Sequence, residues 1–329
     1  MQIRITKAGI YSSIQGLGRW AHLSEGVPLS GAMDTLSARI ANIALGNPER
    51  AALIEFTYGN AAFKAEEDLL IAYSGSGATL HIGKQELPAD RPLFIPKKTS
   101  LHWKTNPQGC RTYLAVAGGW DVPEILGDTS TYVAASFGGF QGRTLQVGDQ
   151  LRARKSISPQ TQTIWETLKG QQLNFPDWQI ARRLLLAPDH KLIRVIPAHE
   201  FTWFQGGSLV DFLSRSFTVS LNSNRMGYHL DGAPMKRLVK EELLSTAVAP
   251  GTIQVTGDGS LILLMADCQT TGGYPRLAQV AAVDLPLCGQ LKPGDQVRFT
   301  EISRKDAERL YLRRERSWSR LRIAISLNT

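Results

Sequence analysis

The two halves of this 329-residue chain close on nearly the same eight residues. The first half ends Leu145-Gln146-Val147-Gly148-Asp149-Gln150-Leu151-Arg152, the second Leu291-Lys292-Pro293-Gly294-Asp295-Gln296-Val297-Arg298. Each reads as a strand, a tight Gly-Asp turn and a second strand. Upstream, each half runs an apolar strand toward paired glycines: Tyr113-Leu114-Ala115-Val116-Ala117 before Gly118-Gly119, and Leu261-Ile262-Leu263-Leu264-Met265-Ala266 before Gly272-Gly273. Ser30-Gly31-Ala32-Met33 and Asn222-Ser223-Asn224-Arg225-Met226-Gly227 correspond more loosely. Features repeated in one order imply a duplicated domain. The length suits two modules of about 150 residues, each with its own core.

Local patterns are mostly strand-like. Ala78–Ile82 followed by Gly83-Lys84-Gln85 reads as a hairpin, as does the stretch around Pro92–Pro96. One early helix is expected over Thr35–Leu45, with Asp34 as N-cap and Gly46 as stop. Many short strands with Gly, Pro and Asp punctuation predict a mainly β chain of two barrel-like domains with few short helices. The expected boundaries are residues 1–154, a polar linker over 155–190 with short helical turns around Trp165 and Arg182, a second domain over 191–303, and a C-terminal helix over 304–329.

That helix carries most of the chain's net charge of +8: eight basic residues against three acidic ones lie between Arg304 and Arg322. Ala307, Leu310, Tyr311, Arg314, Trp318, Leu321 and Ile325 recur at helical spacing, so an amphipathic basic helix is expected. It is either a solvated cap or a docking face for an acidic partner. Charge so confined argues against nucleic acid as a partner. No apolar run approaches the roughly 18 residues of a membrane span, and the N-terminus alternates like a strand instead of a signal peptide, so the expected location is cytoplasmic. Cys110, Cys268 and Cys288 lack metal spacing, the six histidines are scattered, and no metal site is expected.

Chemistry concentrates in Asp267-Cys268-Gln269-Thr270-Thr271-Gly272-Gly273-Tyr274-Pro275-Arg276, which follows an apolar strand directly. It sets a carboxylate, an amide, two hydroxyls and a guanidinium around Gly-Gly. Successive backbone N–H groups at glycines can cradle an anion, and arginine can hold a phosphate or carboxylate bidentately. On composition alone, a strand end with a type II turn and an ordinary ion pair fits equally well. A second polar cluster surrounds Arg225, with Asn222 and Asn224 open to an Asx-turn reading. The first half offers Ser30 and Asp34, then Gly118, Gly119 and Asp121, then Arg143 after a glycine-rich run. Such clusters at matching places in both halves would suit a cleft lined by both domains. No Walker loop and no GxSxG elbow occur, and Pro234-Met235-Lys236-Arg237 reads as a loop lysine, so no covalently attached biotin is expected.

With Gly26-Val27-Pro28, Ser30-Gly31-Ala32-Met33-Asp34, Ala41-Asn42, Leu45-Gly46-Asn47, the 113–123 segment, Leu126-Gly127, Ser130-Thr131, Ser223–Gly227 and Gln269–Pro275 in order, the chain resembles the biotin-dependent carboxyltransferase-like family. That family also goes by allophanate hydrolase subunit 2 or kinase-inhibitor antagonist, and within it the resemblance is to C subunits of 5-oxoprolinases. The resemblance implies two cyclophilin-like β-barrels and partners of the B and A subunit types. It also implies an ATP-dependent opening of 5-oxo-L-proline to L-glutamate, with magnesium accompanying ATP.

Phosphorylation of a stable lactam oxygen would create a leaving group, a step that depends on positioning and charge stabilisation. On that basis the expected catalytic residues are Gln269, Arg276, Arg225 and Asp267. Arg276 and Arg225 would meet anions, Gly272 and Gly273 would hold an oxyanion, and Asp267 would orient an arginine. Expected substrate contacts are Asn222, Asn224, Thr270, Thr271, Gly272, Gly273, Tyr274, Ser30, Asp34, Gly118, Gly119, Asp121 and Arg143. Two departures from the family pattern are Gly16, where an aspartate is usual, and Trp120, expected to narrow the cleft. Two other activities suit the same fold: carboxyl transfer from carboxybiotin to urea or a related amide, and non-enzymatic antagonism of a kinase-inhibitor partner.

Overall fold

The computed structural model describes residues 1–239 and 241–328. The chain forms two compact units. Unit 1 comprises Met1–Gly18, Ser30–Arg182 and the residues from Trp318 onward; unit 2 comprises Arg19–Leu29 and Arg183–Ser317. The polar stretch after residue 155 thus packs in unit 1 up to Arg182. It carries a helix over Pro159–Leu168, capped by Ser158, and a 3-10 turn at Arg182–Leu185.

Unit 1 holds β1 (Gln2–Ala8), β2 (Tyr11–Gln15), α1 (Thr35–Ala44), β3 (Leu53–Thr57), β4 (Ala61–Ala65) and β5 (Leu69–Gly75). After these come β6 (Ala78–Ile82), β7 (Gln85–Glu86), β8 (Pro92–Ile95), β9 (Ser100–Thr105), β10 (Arg111–Val116), β11 (Gln150–Arg152) and α2 (Pro159–Leu168). The strands make two sheets, in the orders β11-β1-β4-β9-β6-β7 and β2-β3-β10-β5-β8. Their facing side chains enclose one core, including Ile5, Phe63, Tyr73, Trp103, Leu114 and Trp120. Trp120 is fully buried there, so it narrows no cleft. The Pro92–Pro96 stretch is a strand but makes no hairpin with its neighbours: β8 is an edge partner of β5, where its prolines withhold no needed donor.

Unit 2 holds β12 (Leu192–Pro197), α3 (Gly206–Ser214), β13 (Phe217–Val219), β14 (Gly227–Asp231), β15 (Thr246–Ala247), β16 (Thr252–Val255) and β17 (Leu261–Leu264). It continues with β18 (Thr271–Gly272), β19 (Arg276–Val280), α4 (Leu285–Cys288), β20 (Gln296–Glu301) and α5 (Arg304–Leu327), the last running on into unit 1. Seven strands close a barrel in the order β12-β19-β16-β17-β14-β13-β20, while β15 and β18 form a separate two-stranded ribbon. No helix among the described residues is long and apolar enough to cross a membrane.

The repeat is visible atom by atom in the two Gly-Asp turns. Gly148 donates to Ile5 O at 2.9 Å and Ile5 N–H donates back to Asp149 O at 2.8 Å. Gly294 donates to Val219 O at 2.8 Å and Val219 N–H donates back to Asp295 O at 2.9 Å. Both glycines need the left-handed region, with φ of 95° and 87°. Each aspartate side chain also accepts the N–H three residues earlier, from Gln146 at 2.7 Å and Lys292 at 3.1 Å. The residues before each turn are not strand, but Leu145 and Leu291 are buried and anchor it.

Candidate functional site

In unit 2 the barrel strand β17 ends at Leu264, and the chain stays buried through Cys268 before emerging at Gln269. One ion pair fixes this exit. Arg225 donates Nε–H to Asp267 Oδ2 at 2.8 Å and Nη2–H to Oδ1 at 3.1 Å, both side chains being over nine-tenths buried. Backbone bonds run alongside: Asp267 N–H to Arg225 O at 2.9 Å and Met265 N–H to Met226 O at 3.0 Å. The two polar clusters of the second half are therefore one assembly. Asn224 makes the Asx turn, its Oδ1 accepting Met226 N–H at 2.7 Å, and Asn222 is exposed beside it.

Beyond the exit, Thr271–Gly272 pairs antiparallel with Thr246–Ala247. The anion-cradling loop expected at Gly272-Gly273 is not formed. Neither glycine has a positive φ, and Gly272 is held in the strand pairing, where a cradle would alternate handedness. A Cβ at 272 would lie 2.7 Å from Gln254 Nε2, which donates to Tyr274 O, so a side chain there would push that amide aside. Arg276 is likewise committed. Its Nε and Nη2 both donate at 2.8 Å to the Glu200 carboxylate, which is almost wholly buried. The hydrogen bonds from Arg276 hold the Glu200 carboxyl below its ordinary value. His199 Nδ1 lies 3.2 Å from the same carboxylate.

The expected anion-binding roles of Arg276 and Arg225 thus give way to internal ion pairs, and these residues do not fit a bound phosphate. What the segment offers outward is neutral. Gln269, Thr271 and Tyr274 are exposed and Thr270 is half-buried. Cys268 cannot serve as a nucleophile at neutral pH, because burial pushes its thiol up to about 12.

Of the unit 1 candidates, Asp34, the Gly118-Gly119 pair and Arg143 sit in three separate hydrogen-bond groups. Asp34 caps α1, accepting Ser37 N–H at 2.9 Å, and its own N–H donates to Tyr113 Oη at 2.7 Å. Tyr113 in turn donates to Glu55 at 2.8 Å, beside Met33 N–H at 2.9 Å. Ser13, Glu55, Tyr113 and Ser74 are cross-strand partners over four strands, making a wholly buried polar row beneath α1. Burial and the Glu55 charge push the Tyr113 hydroxyl well above its ordinary value, so it donates and does not ionise. Tyr113→Phe is expected to cost about 1–3 kcal/mol in urea unfolding, since Glu55 and Asp34 N–H each lose a partner; an unchanged midpoint would remove the row from the account of stability.

Gly118 and Gly119 belong to the second group. Gly118 N–H donates to Asn47 Oδ1 at 2.8 Å, and Asn47 donates to Val116 O at 2.8 Å, locking the end of α1 to β10. Asp121 is exposed, its N–H donating to Arg152 O. Arg143 is the third, held by Asp149 at 2.7 and 2.9 Å.

Ser30 is buried at a left-handed φ of 54°, and its Oγ has no hydrogen-bond partner among the described residues. Near it lies a residue that sequence reasoning missed. Asp128 Oδ2 accepts Gly18 N–H at 3.1 Å, and a Cβ at Gly16 would stand 2.6 Å from the same oxygen. The carboxylate absent at position 16 is thus matched by one arriving from Asp128. Gly31 packs on the same Leu17-Gly18 backbone, and Gly16 N–H donates to Ser130 Oγ at 2.9 Å.

The carboxyltransferase domain, subdomains A and B, matches residues 25–301. The chain belongs to the carboxyltransferase-domain family. It is 34% identical over 307 residues to the C subunit of 5-oxoprolinase from Escherichia coli, covering 93% of each chain. It is 31% identical to urea amidolyase of Saccharomyces cerevisiae, covering 94% of this chain but only 17% of that one. Among solved structures, urea carboxylase of Kluyveromyces lactis superposes with a TM-score of 0.85 at 28% identity, over 96% of this chain and 29% of that one. The family membership and mainly β fold expected from the sequence both hold.

Proposed function

We propose that this carboxyltransferase-family chain is the C-type subunit of an ATP-dependent 5-oxoprolinase. It acts with B-type and A-type subunits to open 5-oxo-L-proline to L-glutamate. The observation that supports this best is the 34% identity to the C subunit of the E. coli 5-oxoprolinase, spanning 93% of both chains. In this reading the neutral face of the 269–274 segment meets the lactam. An amide side chain carries both a donor and an acceptor, so Gln269 can complement the lactam C=O and N–H together. Thr271 and Tyr274 add hydroxyls, while the Arg225–Asp267 and Arg276–Glu200 pairs act as positioning residues that hold the segment to the barrel. ATP and magnesium enter as reactants of the complex, with no residue of this segment assigned to them.

The test is reconstitution with the B and A subunits and assay of ATP-dependent glutamate release. Gln269→Ala is expected to lower kcat/KM about 10–100-fold while the melting temperature of this chain stays within about 2 °C. Full activity in that variant would take Gln269 out of the site. The likeness to urea carboxylase supports a second reading, transfer of a carboxyl group to urea or a related amide. No glutamate release, with urea carboxylation by biotin-loaded partners instead, would replace the first reading by the second.

A further inference from the structure

The helix α5 is long for what it buries. Of its 24 residues only Ala307, Trp318 and Ile325 are buried. Ala307 packs with Ala281 and Val283 of unit 2. In unit 1, Trp318 donates Nε1–H to Glu49 Oε1 at 2.8 Å and stacks under the Arg39 guanidinium. The barrel is closed by β20 before this helix begins, so closure of the barrel does not account for the long exposed face.

In unit 2, that face borders a groove of about 700 Å³ whose walls are apolar, with Ile196, Val280, Ala282, Leu285, Tyr311 and Leu312 among the lining residues. Most of the polar rim is already engaged. Arg304 pairs with Glu308 at 2.9 Å, and Gln279 donates to Pro250 O at 3.0 Å while accepting Thr252 Oγ1–H at 2.8 Å. A groove with so few uncommitted polar groups cannot orient a polar metabolite; it takes apolar side chains. Tyr311 and Leu312, lining it from α5, are 44% and 55% exposed.

The surrounding charge is one-sided. Arg309 is paired with Asp306 and Arg322 with Glu49. Lys305, Arg313, Arg316 and Arg320 are exposed and make no ion pair among the described residues. Arg316 stands one helical turn beyond Leu312, and Arg313 lies beside it, so unpaired cations flank the apolar opening.

We propose that this groove and the basic face of α5 together dock a partner protein that presents apolar anchor side chains flanked by carboxylates. The inference rests on the multi-subunit reading above, in which the B-type subunit is that partner. Desolvated anchors in a pocket supply most of an interface's affinity, and complementary rim charges supply selectivity and on-rate. Nucleic acid would use the cations and leave the groove empty. An anionic bilayer would need the apolar residues on a convex face, whereas Tyr311 and Leu312 line a concavity.

The experiment is titration calorimetry of the full chain with the B-type subunit. Ala282→Trp, which fills the groove from an exposed position, and the double variant Arg313→Glu/Arg316→Glu are each expected to weaken Kd at least about tenfold, with melting temperatures unmoved. Raising salt from about 50 to about 300 mM should weaken the wild type, and should leave the charge-reversed double variant unweakened or strengthen it, because screening then relieves repulsion. Unchanged affinity in both variants overturns the proposal, as does no binding by the wild type. So does loss, in the double variant, of binding to duplex DNA or phosphatidylserine vesicles while the B-type subunit still binds normally. Variant-sensitive association without glutamate release would sink the 5-oxoprolinase reading and leave the docking surface standing.

Discussion

Arg225→Ala is expected to destabilise unit 2 by about 3–5 kcal/mol. The pair it breaks is buried on both sides, with side-chain exposures of 8% for Arg225 and 7% for Asp267. Truncating the arginine leaves a nearly buried carboxylate without its paired counter-charge, and that desolvation cost dominates the loss. The effect should appear as a lower urea midpoint with little change in slope. A double replacement of Arg225 and Asp267 by leucine should recover much of the stability, because both charges leave together. It should not recover activity, since Gln269 lies two residues from the lost anchor. A cost below about 1 kcal/mol for Arg225→Ala would mean that water or another donor already solvates Asp267, and the anchoring role would fall.

Much of the fold can be read locally because its signals are local. Asp34 and Gly46 bracket α1 as capping chemistry predicts, and Gly148 and Gly294 turn the chain at equivalent places. Buried Ala307, Trp318 and Ile325 keep the helical spacing expected for α5. The site is less legible, because its partners come from far along the chain. Glu200, Glu55 and Asp128 are single acidic residues in unremarkable surroundings. Their roles depend on Arg276, Tyr113 and Gly18 arriving 76, 58 and 110 positions away. Gly272-Gly273 illustrates the same limit. A Gly-Gly pair after a strand reads as a turn, but here Gly272 pairs with Thr246 as part of a strand. An arginine in a polar cluster also reads alike whether its anion is a ligand or a buried glutamate; only the position of the glutamate decides.

Arg276→Ala separates those two meanings most sharply, and acid dependence provides the readout. Its side chain is a quarter exposed and that of Glu200 is 2% exposed, so the loss should be near the low end for a buried pair, about 3 kcal/mol. A unit of this size should then melt roughly 10 °C lower. In the wild type, hydrogen bonds from Arg276 depress the Glu200 carboxyl below its ordinary 4.5. The unfolded chain therefore takes up the proton first as pH falls. The pair's contribution is complete above that ordinary value and is lost as pH drops through the depressed one. In the variant the sign reverses. Burial without the arginine raises the carboxyl, the folded form takes up the proton first, and acidification stabilises it. The gap between wild type and variant should thus be widest near neutrality, narrow as pH falls toward about 4.5, and finish closing below it as pH drops through the depressed wild-type value. A gap that stays constant across that range would mean Glu200 titrates alike in both proteins. The arginine would then be free to meet a ligand, as the sequence first suggested.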